Sequence, residues 1–477
     1  MKKRSIIIVL IGILTISACT DDITRFNEET KLASNVPAGS LFSNAVKSLS
    51  DGLASASVNV NIFRHFVNHW AQAVIQEEAN FNYITRSIND AWWTRLYRDV
   101  LNDLKESSRI INADAALNVA QKANQLAIID IMQVYTFNIL VNTYGDVPYT
   151  QSLDDQQLFP VYDDAKTINA DLMQRLDADI AKLSTAAPGF SATEDILFQG
   201  SIAKWISFAN SLQVRMAMTI ADTDLAKAKA AFEKAEPNAI NSTANDAFIK
   251  YYSATPNNNP LYDQLVLANR TDYIAAKDLM DVLNTFSDPR KPGFFGVNNV
   301  GMYVGGIMGA PSDYPKMSKP SARIAAPSAP NTLIDYVEME FYRAEAKERG
   351  FTVSGTAELH YNNAIKTSVI YWGGTSVEAD TYLARTDVAY TTATGGWKQK
   401  IGFQKWIALY NRPFEGWLEV RRLDFPKLTL PVNPISGFPN RLKYPSNEQQ
   451  LNGLNYTSAS SKIGGDKSET KLFWDIF

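Results

Sequence analysis

Apolar residues recur every three or four positions along most of this chain, which is the spacing of one face of a helix. Trp92, Leu96, Val100, Leu104 and Ile111 fall roughly on one stripe and predict a helix over residues 89–112. Leu126, Ile129, Met132, Phe137 and Leu140 predict a longer helix over residues 118–144. Gly145 is expected to stop it, with Asp146-Val147-Pro148-Tyr149 continuing as extended chain. Ile168, Leu172, Leu176, Ile180 and Leu183 step by three and four along residues 163–183. Ser201 is the expected cap of a helix reaching residue 221. Shorter helices are expected at 224–235 and 275–286. The pattern predicts a mostly α fold.

Two stretches read as helix-turn-helix repeats of the tetratricopeptide kind. In residues 332–373, Ala344, Ala346 and Gly350 close a first helix, and Ala357, Tyr361, Ala364 and Ile365 mark a second. In residues 215–237 the markers are Ala228, Phe232, Ala235 and Pro237. Small residues let paired helices approach closely, and aromatics fill the gaps between pairs.

Residues 287–331 break this pattern. Seven prolines and six glycines fall there, predicting an irregular inserted region of loop and short strand. Phe294, Phe295, Tyr303 and Tyr314 argue for an ordered one. The tail over residues 431–477 is also irregular, and its late aromatics Phe473 and Trp474 are expected to dock on the body.

The first residues read as an address. Lys2, Lys3 and Arg4 precede an apolar run over residues 6–16, too short for a normal membrane span. The run ends in Ile16-Ser17-Ala18-Cys19, which resembles a lipobox, where bacteria cleave and acylate the cysteine. Cys19 is the only cysteine in the chain, so no intrachain disulfide and no cysteine zinc cage can form. Asp21-Asp22 resembles the surface-export signal of Bacteroidetes lipoproteins. The expected division is a signal peptide over 1–18, a lipidated N-terminus and polar tether over 19–40, and a single domain over 41–477. No later segment is an unbroken apolar run of ~18 residues, so the body is expected to hang from its lipid.

Composition narrows the chemistry. The 46 basic and 50 acidic side chains give a formal charge of −4, which argues against binding nucleic acid through bulk charge. There are three histidines, His65, His69 and His360. On a helix His65 and His69 would share a face, but His-Glu-x-x-His is absent, and a structural histidine pair is expected rather than a metal. No Gly-x-Ser-x-Gly elbow and no phosphate-binding loop is present. Arg421 and Arg422 are expected to pair with carboxylates such as Glu415 or Glu419. No cofactor, no metal and no catalytic set is expected.

Several short landmarks keep their order over much of the chain. They are Trp92 with Leu96-Tyr97, then Tyr144-Gly145-Asp146-Val147-Pro148-Tyr149, then Trp205 with Asn210-Ser211-Leu212 and Arg215. Asp288-Pro289-Arg290, Ala344-Glu345-Ala346 with Gly350, and Gln404-Lys405-Trp406-Ile407-Ala408-Leu409 follow. Trp417 with Arg421-Arg422, and Arg441-Leu442 with Tyr444-Pro445 and Glu448, complete the set. In this the chain resembles the SusD/RagB-like outer-membrane lipoproteins of Bacteroidetes, in particular the SusD-like subgroup described as starch-binding and associating with the outer membrane. The resemblance implies a tetratricopeptide-like scaffold with a loop-rich face and a TonB-dependent outer-membrane transporter as partner. It implies a protein that captures an oligosaccharide at the cell exterior and hands it on. Peptide capture by the same architecture, a surface glycosidase and a purely scaffolding repeat protein are the other readings.

Sugars offer apolar C–H faces and many hydroxyls, so their sites need aromatic platforms flanked by polar groups. In the family, the loop before the matching helix and a mid-chain loop contribute to the ligand face. By position and composition this points to Asn82, Tyr83, Arg86, Asn89 and Trp93, with Tyr303 from the inserted region. Trp92 heads the helical stripe and is expected in the core.

Overall fold

The computed structural model describes residues 36–57, 60–85 and 87–477. Cys19, Asp21 and Asp22 lie outside the described residues, as does Arg86. The first described helix, α1 (Ala38–Ala54), begins inside the span read as tether. Phe42, Ala45, Val46, Leu49 and Leu53 form its buried stripe. Phe42 stacks on Phe190 with ring centroids 4.2 Å apart.

The stripe over residues 89–112 holds, but the helix is not uniform. Helices α2 (Ile88–Thr94) and α3 (Asn102–Ala113) flank a π-helical stretch, Arg95–Leu101. Trp92, Leu96, Val100 and Leu104 are all fully buried. The long helix α4 (Val119–Tyr144) is capped by Asn118, whose side chain accepts from the amides of Ala120 and Gln121. Gly145 ends it at φ +88°, a conformation that favours glycine. By length and apolar content this helix could cross a membrane, yet most of it is buried inside the protein, so it is the core helix.

Among the described residues, three ribbons of two- to four-residue strands punctuate the helices. Strands β1 (Trp70–Gln72) and β5 (Tyr273–Ala275), β2 (Val147–Pro148) and β3 (Tyr162–Asp163), and β4 (Ala247–Ile249) and β6 (Asn331–Ile334) pair antiparallel. The remaining long helices are α5 (Ala165–Lys182), α6 (Ile202–Thr219), α7 (Leu225–Ala235), α8 (Lys277–Thr285), α9 (Tyr336–Glu348), α10 (Ala357–Tyr371), α11 (Ser376–Leu383), α12 (Trp397–Ala408), α13 (Pro413–Leu423) and α14 (Gly453–Lys462). Asp164, Asp224, Asp335, Thr356 and Thr375 cap α5, α7, α9, α10 and α11, each accepting a first-turn amide. Ser201 departs from expectation: its side chain makes no capping bond to α6.

The repeat-like pairs are α6 with α7 and α9 with α10, and Ala228, Ala344, Ala346 and Ala364 are fully buried. Charge is buried with them. Arg215 forks onto Glu338 at 2.7 and 2.8 Å, and Arg412 reaches the same carboxylate. Arg422 grips Glu345 at 2.6 and 2.5 Å and Glu419 at 2.6 Å. Arg421 does not follow the expected carboxylate pairing. Its guanidinium lies 3.5 Å from the Trp417 ring centre and donates to the carbonyls of Asn142 and Asn440, and burial lowers its pKa to about 9.

The histidines are structural. A short helix, Phe63–Phe66, ends before His69, so His65 and His69 do not share a helix face. His65 Nδ1 meets the Trp70 carbonyl, and both His69 ring nitrogens face carbonyls, of Tyr410 and Trp406. Burial pushes the His69 pKa down to about 3. The tail docks as expected. Trp474 is buried and donates its indole N–H to Asn142 Oδ1 at 2.9 Å, while Phe473 is half-buried.

Candidate functional site: the loop face

The ribbon β1–β5 organises the irregular region. Glycine at 306 donates to the Ala275 carbonyl at 2.8 Å and accepts from the Lys277 amide at 2.8 Å. A Cβ on Gly305 would sit 2.6 Å from Lys277 Cα, so this approach requires glycine. Ser312 donates to the Ala73 carbonyl, Val432 to Met308 and Ile435 to Asn80. Asp272 fixes the turn after β1 by accepting from the amides of Val74 and Ile75 at 2.8 and 3.0 Å. Four stretches far apart in sequence thus form one face, joined by these backbone bonds and by a small apolar cluster of Ala71, Ala73, Ala79, Ile274, Ala276 and Met308, on which Tyr314 packs.

That surface exposes aliphatic side chains, among them Val74, Val300, Met302, Ile307 and Ile435. Two tyrosines sit half-buried among them. Tyr303 has Lys291 Nζ 4.8 Å from its ring centre, and Tyr314 has Lys319 Nζ at 4.8 Å. Asn284 donates to the Tyr303 carbonyl. Partial burial raises both phenol pKa values and lowers those of both lysines. Each ring keeps part of its surface open beside a donor, the combination that receives the C–H face and hydroxyls of a sugar.

The other expected site residues fall in different places. Tyr83 is 1% exposed. Its hydroxyl lies 2.6 Å from Ser468 Oγ, its ring meets Phe66 edge-on at 5.8 Å, and burial raises its pKa to about 12. Asn89 is 2% exposed, donates to the Tyr444 carbonyl and accepts from the Tyr144 hydroxyl through its own carbonyl. These two positions correct the expectation of a solvent-facing Tyr83 and Asn89: both fasten the loop to the scaffold. Asn82 is half-buried and accepts from the Thr85 hydroxyl. Trp93 is half-buried against Tyr97, Tyr144, Tyr162 and Tyr444, with centroids 4.8 to 6.5 Å away. Its neighbourhood is not that of Tyr303. Tyr314 is the loop-face ring that sequence reasoning left unassigned; its signal was an aromatic in the same proline-rich stretch as Tyr303. Among the described residues no group of three His, Cys, Asp or Glu side chains is arranged to hold a metal.

A helical-repeat scaffold carrying a loop face of this kind defines a class of binding proteins. The chain belongs to the SusD-like family described as starch-binding, associating with the outer membrane, whose model matches residues 30–445. Carbohydrate binding and outer-membrane association are the general properties of that family. Solved structures share the fold. A Bacteroidetes SusD-like protein, AC2a, superposes with a TM-score of 0.79 at 22% identity, covering 93% of this chain and 100% of that one. A SusD homologue from Bacteroides uniformis gives 0.77 at 25% identity, with 92% and 99% covered. A chitin-binding SusD homologue from Flavobacterium johnsoniae gives 0.77 at 21% identity, with 91% and 98% covered. No curated protein matches the chain.

Proposed function

We propose that this protein is a lipid-anchored, cell-surface lipoprotein that captures an oligosaccharide and delivers it to a TonB-dependent outer-membrane transporter. The observation that carries the capture step is the pair of half-open rings, Tyr303 and Tyr314, each beside a lysine on a face whose family binds carbohydrate. Asn82, Arg86 and Trp93 are proposed as further, separate ligand contacts. Cys19 is proposed to carry the lipid and to hold the protein at the outer membrane, facing outward. The proposed role is binding without catalysis.

A glycan array and a peptide library, both probed with the full chain in detergent, test the capture step. Retention of oligosaccharides supports it, and retention of peptides alone transfers the same architecture to peptide capture. Cys19→Ala is expected to leave the protein unlipidated and released from the outer membrane; an unmodified Cys19 in the mature wild-type protein, seen by mass spectrometry, ends the anchoring claim. Mild solubilisation of native membranes is expected to bring down a TonB-dependent barrel. Recovery as a free monomer at native expression contradicts the delivery step.

A further inference from the structure

A second concavity lies away from the residues assigned above. It is a cavity of about 340 Å³, bounded by the β4–β6 ribbon, the start of α9 and the ends of α10 and α12. Phe248, Tyr371 and Trp372 supply aromatic walls, and Asp246, Asp335 and Asn411 supply polar ones. Tyr371 is 42% exposed, so a ring edge is open at the mouth. Trp372 is 6% exposed and lines the same wall, with its indole N–H open to the cavity.

The two carboxyls are both tied to the first turn of α9. Asp246 Oδ1 accepts from the Tyr336 amide at 2.7 Å, and Asp335 Oδ1 accepts from the Glu338 amide at 2.8 Å. Their Oδ2 atoms make no hydrogen bond among the described residues. The charged groups around them are unevenly placed. Arg412 Nη1 is 3.1 Å from Asp335, while its other nitrogen is committed to Glu338. Lys204, on α6, acts on Asp246 from a distance, its Nζ bound to the Ala244 carbonyl. Arg323 lies over Tyr371 and Trp372, its nearest centroid 5.5 Å away. Asp246 therefore feels Arg412 and Lys204 only at a distance, because Arg412 is shared with Asp335 and Glu338. Burial, and then the neighbouring Asp335, raise its pKa to about 8.

We infer that this cavity is a subsite for a saccharide ring bearing a free ammonium group, which sits against Asp246 and Asp335 and lays its apolar face on Tyr371 and Trp372. The saccharide half rests on the proposed function; the charge half stands on the aspartates. An ammonium beside Asp246 takes the place of its proton, which leaves to solvent. The indole N–H finds its acceptor in a ring hydroxyl.

Three β-1,4-linked disaccharides share one frame and differ at the 2-position: those of glucosamine (ammonium), N-acetylglucosamine (acetamide) and glucose (hydroxyl). Calorimetry of the full chain at pH 7, in two buffers of different ionisation heat, compares them and counts released protons. The glucosamine disaccharide is expected to bind at least tenfold more tightly than the other two, with proton release. Asp246→Asn keeps an acceptor for the Tyr336 amide and is expected to weaken that binding at least tenfold. Should this variant melt early, Tyr371→Ala, at an exposed ring, is expected to give a comparable loss with the fold intact. Equal binding of the three, binding without proton release, or wild-type affinity in both variants overturns the inference. If none of the three binds while the array still captures longer glycans, the inference falls and the proposed function stands. If the array captures no glycan either, both fall.

Discussion

The repeat helices and the loop face use their aromatic residues in opposite ways. In the repeat helices, Trp205, Trp406 and Trp417 are 0–1% exposed, and these three indole N–H groups are spent internally, on Asp195, on the Val67 carbonyl and on the Pro439 carbonyl. On the loop face, Tyr303 and Tyr314 stay partly open and have a lysine for a neighbour. A ring whose polar edge is satisfied inside the protein is structure. A ring left open beside a donor is available to a ligand. Tyr83 sharpens the rule: it sits in a loop, yet its hydroxyl is bound to Ser468 and its ring is buried, so it belongs with the tryptophans.

The largest expected effect is in the scaffold. Trp406→Ala should cost ~3–5 kcal/mol of stability, because it removes a buried ring and leaves a cavity. Denaturant unfolding measures it, and a loss under ~1 kcal/mol breaks the comparison.

The buried charges come next. Glu338→Gln strands Arg215 and Arg412 inside the helices and should cost about 3–5 kcal/mol. The same network sets an acid limit. Against the upward push of burial, Arg422 and Arg349 hold the Glu345 pKa down at about 2. A carboxylate held low in the fold gives stability that is complete above its unfolded value, near 4.5, and is lost as pH falls through its folded value. Unfolding free energy followed by urea titration should therefore drop between pH 4.5 and 2. A flat profile across that window contradicts the role given to Glu345.

The loop face predicts the reverse balance. Tyr303→Ala and Tyr314→Ala should each weaken oligosaccharide binding by ~1–3 kcal/mol, about 5- to 150-fold. Their thermal midpoints should hardly move. Early melting in both variants, with affinity intact, places these rings with the scaffold instead. The smallest effect belongs to Tyr83→Phe, which removes the bond to Ser468. It should cost about 1 kcal/mol of stability and leave ligand affinity unchanged.

The sequence by itself determined what neighbours along the chain can decide. The stripe from Trp92 to Leu104, the stop at Gly145 and the proline- and glycine-rich break after residue 287 are local features, and each is found where the pattern put it, whereas the cap expected at Ser201 is not. The tertiary structure decided which polar edges are satisfied. The partner of Tyr83 is 385 residues away, and that of Asn89 is 355 away. Arg421 passes over the carboxylates near it on α13 for carbonyls on other segments. Asp246 and Asp335 approach each other through the start of α9. Helices and caps are fixed by bonds within a few residues, so periodicity reveals them. Whether a side chain faces solvent depends on contacts that exist only once distant segments have packed, and no local pattern encodes them.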